Sequence, residues 1–546
     1  MFTKNAQPAV ILLCCVCFVL FIPPNLTGAK DPNMLAAFRL ELPEYGTDEF
    51  ALFQQTMAMT TVGATPYGTL VNFAIPQNYF YGYPFFLTSA LPILPLRLIE
   101  QLSDITIPTV VYAVIVRQLS VLFMLLAVGL LVHAWTGFRS VATSVPLFVF
   151  LAAIPAVFFN NMFWHPDSLV TLFSVLTIFC LSKDDLRLGR WYVFAAVACG
   201  LATGTKLIGL FFFLTVLIYL VLGFAHGRLS IKQVFAFGAE FAGVMAFTMI
   251  AVNPTLLIPA IATQYASALG TLAELNSWGW DVERPKSPLS WYTDALRDNF
   301  GFWWIYAIAL SFCVSGIVKN PQKRLLNIMI LTWTLPLSTY MLFSVGYKGA
   351  RYFIPIMLPV LSCIGNVLDR AVVEWVRRRR AALYAVTISI LLCAVQFAYY
   401  VVADIDIYGR VLHREARSAA LEFHQQLYEE FLAGLPTHQP LTVLREARVY
   451  VPPSQYWKDL ATYATLDYEY IDRTMPDLIL LSREFVEAQS DKAMLSRIAP
   501  LARSQWLKGY EFYRDAQRGS IRGFRQVLTT SFGLAFFRAE HESSKP

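Results

Sequence analysis

Four short stretches gather ionisable residues in a chain otherwise poor in charge. Tyr45-Gly46-Thr47-Asp48-Glu49-Phe50 sets two carboxylates side by side, and Phe163-Trp164-His165-Pro166-Asp167-Ser168 places an imidazole two residues before a third. Gly204-Thr205-Lys206 adds one cation, and Gly346-Tyr347-Lys348-Gly349-Ala350-Arg351-Tyr352-Phe353 adds two more. A carboxylate can take a proton from an incoming hydroxyl as general base. Lys and Arg can stabilise a phosphate as negative charge builds on it. The mixture suits a lipid phosphate bonded to a reactive anomeric carbon. Plainer readings stand beside this one. Thr47 or Asp48 would cap a helix through Phe50-Ala51-Leu52-Phe53, and Asp167 would cap the helix that follows it. Lys206 would snorkel to water, and Arg351 would meet lipid head groups. Tyr81 and Tyr83, in Asn78-Tyr79-Phe80-Tyr81-Gly82-Tyr83-Pro84, would anchor at a membrane interface.

The elements that must position these residues are membrane spans. The chain has 546 residues, of which 56% are hydrophobic and 15% charged, and its mean hydropathy is +0.51. A soluble domain carries about 25% charged residues, so much of this chain faces lipid. Eleven apolar stretches are expected to span, at 8–23, 108–133, 141–160, 168–182, 191–205, 207–224, 233–252, 301–318, 325–344, 352–369 and 381–402. Arg139, then Lys183, Arg187 and Arg190, then Arg228 and Lys232, then Lys319, Lys323 and Arg324, and last Arg370 with Arg377–Arg380 fall in alternate connections, on the side of Lys4. The positive-inside rule makes that side cytoplasmic. The stretches that could do chemistry are then all outside. Pro84–Leu98 is apolar but holds Pro84, Pro92 and Pro95, which should interrupt a helical ladder in lipid. It is expected to be an interfacial or re-entrant piece, because a crossing would put the later basic loops outside.

The fold class expected is a polytopic α-helical membrane domain over 1–402, with an outer loop at 24–107, followed by an extracytoplasmic mixed α/β domain at 403–546. That tail holds 18 Lys+Arg against 19 Asp+Glu, so the net charge of +6 belongs to the membrane part and reads as topology rather than nucleic-acid binding. Arg414–Leu432 suits an amphipathic helix, and Leu441–Val451, Asp477–Ser482 and Phe524–Phe537 suit strands. The eight cysteines all lie in apolar runs, with neither a disulfide framework nor a metal-type spacing. Pro8–Ile22 lacks small residues at a cleavage point and is expected to stay as the first span.

At these residues the sequence resembles the GT-C superfamily of polyprenyl-phosphate-sugar-dependent glycosyltransferases. The similar branch holds the protein O-mannosyltransferases and the lipid A aminoarabinose transferase. Over about residues 8–370 the resemblance rests on Asp48-Glu49 after the first span, Tyr81-Gly82-Tyr83-Pro84-Phe85-Phe86, His165-Pro166-Asp167, Gly200–Lys206, and Arg351-Tyr352 ahead of Pro355 and Pro359. It implies an inverting transfer from a membrane-bound donor to a lipid, glycan or protein acceptor, with Asp48 as base and no obligatory metal or other cofactor. Glu49 and Asp167 would orient the acceptor or shape the catalytic site. Lys206 and Arg351, with Lys348, His165, Tyr81 and Tyr83, would contact substrate. Family members often carry a basic residue beside the Pro-aromatic motif, where this chain has Tyr83. The implied location is a bacterial plasma membrane, N-terminus cytoplasmic. Two other readings compete: a transporter or flippase for lipid-linked glycans, and a non-catalytic scaffold. A transporter would favour internal repeats and polar groups at mid-membrane, and this sequence shows neither. A scaffold leaves Asp167, Lys206 and Arg351 without a reason.

Overall fold

The computed structural model describes residues 5–37, 49–75, 80–103, 105–279, 283–368, 380–435 and 440–539. Asp48, Lys4, Asn78, Tyr79, Arg370 and Arg377–Arg379 lie outside the described residues.

Among the described residues each expected span is helical, as one helix or as two or three consecutive ones. Among the described residues, eight helices are long and apolar enough to cross a membrane, or nine if Pro288–Phe300 and Trp303–Lys319, bent by 81°, form one span. The run at 141–160 breaks into Val141–Ala152 and Pro155–Asn160, because Pro155 begins a new first turn. Asp167–Asp184 and Arg190–Lys206 are membrane-length helices with charged ends. The last span reaches further than its apolar run: Arg380–Leu412 is one helix of 33 residues. The expected boundary at 402 therefore falls inside a helix, since nothing after Val402 stops one.

Contacts sort the connections onto two ends. At one end the Ala6 N–H donates to Phe138 O at 2.7 Å. Lys323 Nζ donates to Ala134 O at 2.5 Å, and Arg228 reaches Asp185 O. These join the basic turns to one another. At the other end Arg117 donates to Asn25 O and Thr27 O, both at 2.9 Å. There, too, Asn253 Nδ2 donates to Gly204 O at 3.1 Å, and Gly346 N–H to Asn276 O at 2.8 Å. The described residues of the four chemical stretches share this second end.

Tyr83–Leu102 corrects one expectation and fits another. The prolines do not break it: it is one helix of 20 residues containing Pro92 and Pro95. Pro84 sits in the first turn, where no N–H is needed. The carbonyls that Pro92 and Pro95 leave without donors belong to Thr88 and Leu91, and Leu91 is exposed. The helix also starts and finishes at the same end of the molecule. The Tyr83 N–H donates to Asn253 Oδ1 at 2.8 Å, while Glu100 accepts from Tyr112 Oη at 2.9 Å near the start of the Thr109–Thr136 span. A second helix of 20 residues, Pro259–Trp278, stands at this end, in a stretch where the sequence suggested no element.

The C-terminal domain is a five-stranded sheet in the order β2-β1-β3-β5-β4. The strands are β1 Leu441–Glu446, β2 Trp457–Thr462, β3 Leu478–Ser482, β4 Phe524–Thr529 and β5 Gly533–Arg538. β1 pairs in parallel with β2 and β3, and β5 pairs antiparallel with β3 and β4. Successive residues point to opposite faces. Leu444, Ile479, Leu481 and Phe536 pack on helices Arg483–Ser490 and Pro500–Gln517, while Val443, Leu478, Leu480 and Phe537 pack on helix Ala419–Glu430. The long run expected at Phe524–Phe537 is a hairpin. The edge strand β2 was missed because Trp457-Lys458-Asp459-Leu460-Ala461-Thr462 has little β-branching.

Candidate active site

Asp167 is the centre of a buried cluster. It sits in the first turn of Asp167–Asp184, where the helix dipole favours a negative charge. Lys206, the last residue of its helix, places Nζ 2.5 Å from Oδ1. His165 Nδ1 lies 2.6 Å from Oδ2, and Arg351 Nε 3.6 Å from the same oxygen. Arg351 is carried on the short 3-10 turn Ala350–Phe353 that opens the next span. Tyr81 Oη is 2.9 Å from His165 Nε2. Lys206 Nζ also stands 4.3 Å above the Tyr352 ring and 5.9 Å above that of Tyr81.

Burial and the nearby Arg351 charge push His165 down to about 4, against the pull of Asp167. The imidazole is therefore neutral at pH 7. Its Nδ1–H faces the carboxylate, and Nε2 accepts from Tyr81; this tautomer follows from the partners. With His165 neutral, Asp167, Lys206 and Arg351 sum to one net positive charge (−1 +1 +1). Asp167 has both oxygens engaged, so it is built to hold cations rather than to take up a proton.

The close approach of two motifs makes this cluster. The Gly82 N–H donates to Thr205 O at 3.0 Å. A Cβ on Gly82 would lie 1.6 Å from Gly204 O, so only glycine lets Tyr81 reach over Lys206.

Glu49 opens helix Glu49–Met59 and is buried. Arg117 grips it in bidentate fashion, Nε to Oε1 at 3.0 Å and Nη2 to Oε2 at 2.7 Å, and the Trp164 N–H donates to Oε1 at 2.7 Å. Burial alone would raise this carboxyl; Arg117, Arg414 and the Trp164 amide hold it below the usual range. Glu49 thus ties the first outer loop to the loop that carries His165 and Asp167. Arg117 was missed by the sequence reading because it is hidden in the apolar run 108–133. A lone Arg inside a span costs several kcal/mol unless paired, roughly 2.5–3.5 on insertion scales, and that was the available signal.

Other expected residues stand apart. Tyr83 Oη donates to Phe73 O at 3.3 Å, away from Asp167, with its N–H on Asn253. Lys348 is 7% exposed and lies 4.5 Å over the Trp291 ring, its Nζ 3.4 Å from Val345 O. Burial lowers Lys348 to about 8. Asp48 precedes Glu49 in sequence and lies outside the described residues.

No protein-family model matches this chain, and no curated protein does. Among solved structures it is similar to ArnT from Cupriavidus metallidurans bound to undecaprenyl phosphate, at 12% identity and a TM-score of 0.53, over 97% of this chain and 98% of that one. The apo state of the same protein matches at 13% identity and a TM-score of 0.51 over the same shares. At such identity the likeness is one of fold, and it runs from end to end of both chains. The protein is an integral membrane protein with the GT-C fold, a polytopic helical domain followed by a small α/β domain.

Proposed function

We propose that this protein is a membrane glycosyltransferase that moves a sugar from a polyprenyl-phosphate donor to a lipid, glycan or protein acceptor at the outer face of the membrane. The observation that carries this reading is the cluster of Asp167, Lys206 and Arg351, with one net positive charge, at one end of a fold shared with a protein whose structure holds undecaprenyl phosphate. In this reading Asp48 takes the proton of the acceptor hydroxyl as its oxygen attacks the anomeric carbon. The bond from that carbon to the carrier phosphate oxygen breaks, and the sugar inverts. Lys206 and Arg351 take the phosphate's charge as it leaves, so no metal is required. Asp167 and the neutral His165 hold the two cations in register, and Tyr81 and Tyr352 wall the site. Lys348 lies three residues before Arg351 and is a further candidate contact for an anionic part of the substrate.

Replacing Lys206 or Arg351 by Ala should weaken use of the donor while the protein still inserts. A lost charge-assisted hydrogen bond is worth about 1.5–3 kcal/mol, roughly 10- to 100-fold in donor KM. Purified variants assayed against a short-chain polyprenyl-phosphate sugar test this. An unchanged donor KM in both variants returns these cations to snorkelling and head-group anchoring.

We also assign the site end to the outside and the basic turns to the cytoplasm of a bacterial plasma membrane. Single cysteines placed at 25–37, 340–350 and 450–460 should then react with an impermeant thiol reagent on whole cells. Labelling only after permeabilisation would overturn the topology, and with it the outer-face reaction.

A further inference from the structure

The C-terminal domain touches the membrane domain at the very loop that holds the site. Tyr450 Oη donates to Asp31 Oδ2 at 2.7 Å. Asn33 Nδ2 donates to Val451 O at 2.8 Å and to Asp459 Oδ2 at 2.9 Å. Asp459 is itself fixed by the fully buried Arg445, through bonds of 2.7 Å to each oxygen. The Gly28 N–H donates to Glu415 Oε1 at 2.7 Å. Arg414, also buried, donates to Thr27 Oγ1 at 3.0 Å and to Thr27 O, and its guanidinium lies 5.7 Å from the Phe163 ring centroid.

These contacts continue without a gap into the site. Thr27 O accepts from Arg414 and from Arg117. Arg117 grips Glu49, Glu49 holds the Trp164 amide, and Trp164 precedes His165 and Asp167. Buried polar groups of this kind carry a cost unless every partner is in place, so a shift of residues 27–33 has to be met by a shift of Glu49 or of the Trp164 amide. Phe50 and Tyr463 pack with ring centroids 6.2 Å apart, which adds a second tie beside Glu49.

We propose that the C-terminal domain is a positioning element of the site, acting through Arg414, Tyr450 and Asp459 on residues 27–33 and from there on the Arg117–Glu49–Trp164 linkage. The bearing of this linkage on sugar transfer rests on the function proposed above; the linkage itself does not.

Two variants of the full-length protein test it: Arg414→Gln, and Tyr450→Phe combined with Asn33→Ala. Both leave the Asp167 cluster untouched. Each should show faster amide exchange over 159–166, and turnover should fall about 10- to 100-fold, the effect expected of a displacement of the order of 1 Å. In the Arg414→Gln protein, bridging Asp31→Cys to Tyr450→Cys with a short bis-maleimide should restore turnover, which a merely structural role would not predict. Wild-type exchange and wild-type turnover in both variants would overturn the proposal. So would a loss of turnover that follows thermal stability and is not restored by the bridge, or faster exchange with full turnover. Faster exchange in the variants of a protein that transfers no sugar would leave the positioning linkage standing and remove the transferase reading instead.

Discussion

Asp48→Asn is expected to abolish transfer while expression, thermal stability and donor binding stay close to wild type. Asn caps a helix as well as Asp does, and Asp48 immediately precedes the helix that begins at Glu49. The substitution therefore keeps the capping group and removes only the capacity to accept a proton at neutral pH. Loss of a general base costs roughly 100- to 10,000-fold in rate. Neither Glu49 nor Asp167 offers a carboxylate oxygen clear of other groups. Both oxygens of Glu49 are taken by Arg117 and the Trp164 amide, and both oxygens of Asp167 face cations or the His165 ring. Glu49→Gln, which keeps an acceptor for Trp164, should lose less activity than Asp48→Asn. Near-normal turnover of the Asp48→Asn protein on purified donor would end the assignment of Asp48 as the base.

Arg117→Met should be the most destabilising single change at the site. Arg117 is 1% exposed, and its removal leaves the Glu49 carboxylate buried without its partner. Breaking a buried pair from one side costs about 3–5 kcal/mol. It also takes the Arg117 donor from Asn25 O and leaves Thr27 O to Arg414 alone. Replacing both partners removes the stranded charge, and apolar pairs of similar volume are often neutral or stabilising. The double variant Arg117→Met with Glu49→Met should therefore regain most of the lost thermal stability in detergent. Its activity should not return, because nothing then holds the Trp164 amide. An Arg117→Met protein as stable as wild type would show that Glu49 finds another partner and that the pair does not anchor the first outer loop.

The membrane architecture was legible in the residues alone, because burial in lipid is written into composition. Long apolar runs have one way to satisfy their backbone in a bilayer, which is to be helical, and the described residues of each expected span are helical. The alternation of basic turns also placed the four chemical stretches at one end, and the contacts agree for their described residues. That Tyr83–Leu102 starts and finishes at one end of the molecule agrees with the charge pattern, although its prolines misled about its continuity. Asp167, Lys206, Arg351, His165 and Tyr81 were identifiable singly, by the oddity of charge and aromatic residues at span ends.

Which of these residues meet is set by the packing of distant segments. Gly82 and Gly204 lie far apart in sequence, and their backbone contact follows from how helices pack, which residue spacing does not encode. That contact separates Tyr81, which joins the cluster, from Tyr83, which does not. Arg117 was invisible because a single cation barely alters the hydropathy of a span; its meaning appears only when Glu49 arrives from another loop. The edge strand β2 is held by its pairing with β1, and the docking of the C-terminal domain on residues 27–33 depends on pairings between segments more than 400 residues apart, such as Tyr450 with Asp31. Local propensity acts over a turn or a strand and carries no information about such distant partners. Hydrogen bonds between buried groups exist only once the whole chain has brought donor and acceptor together.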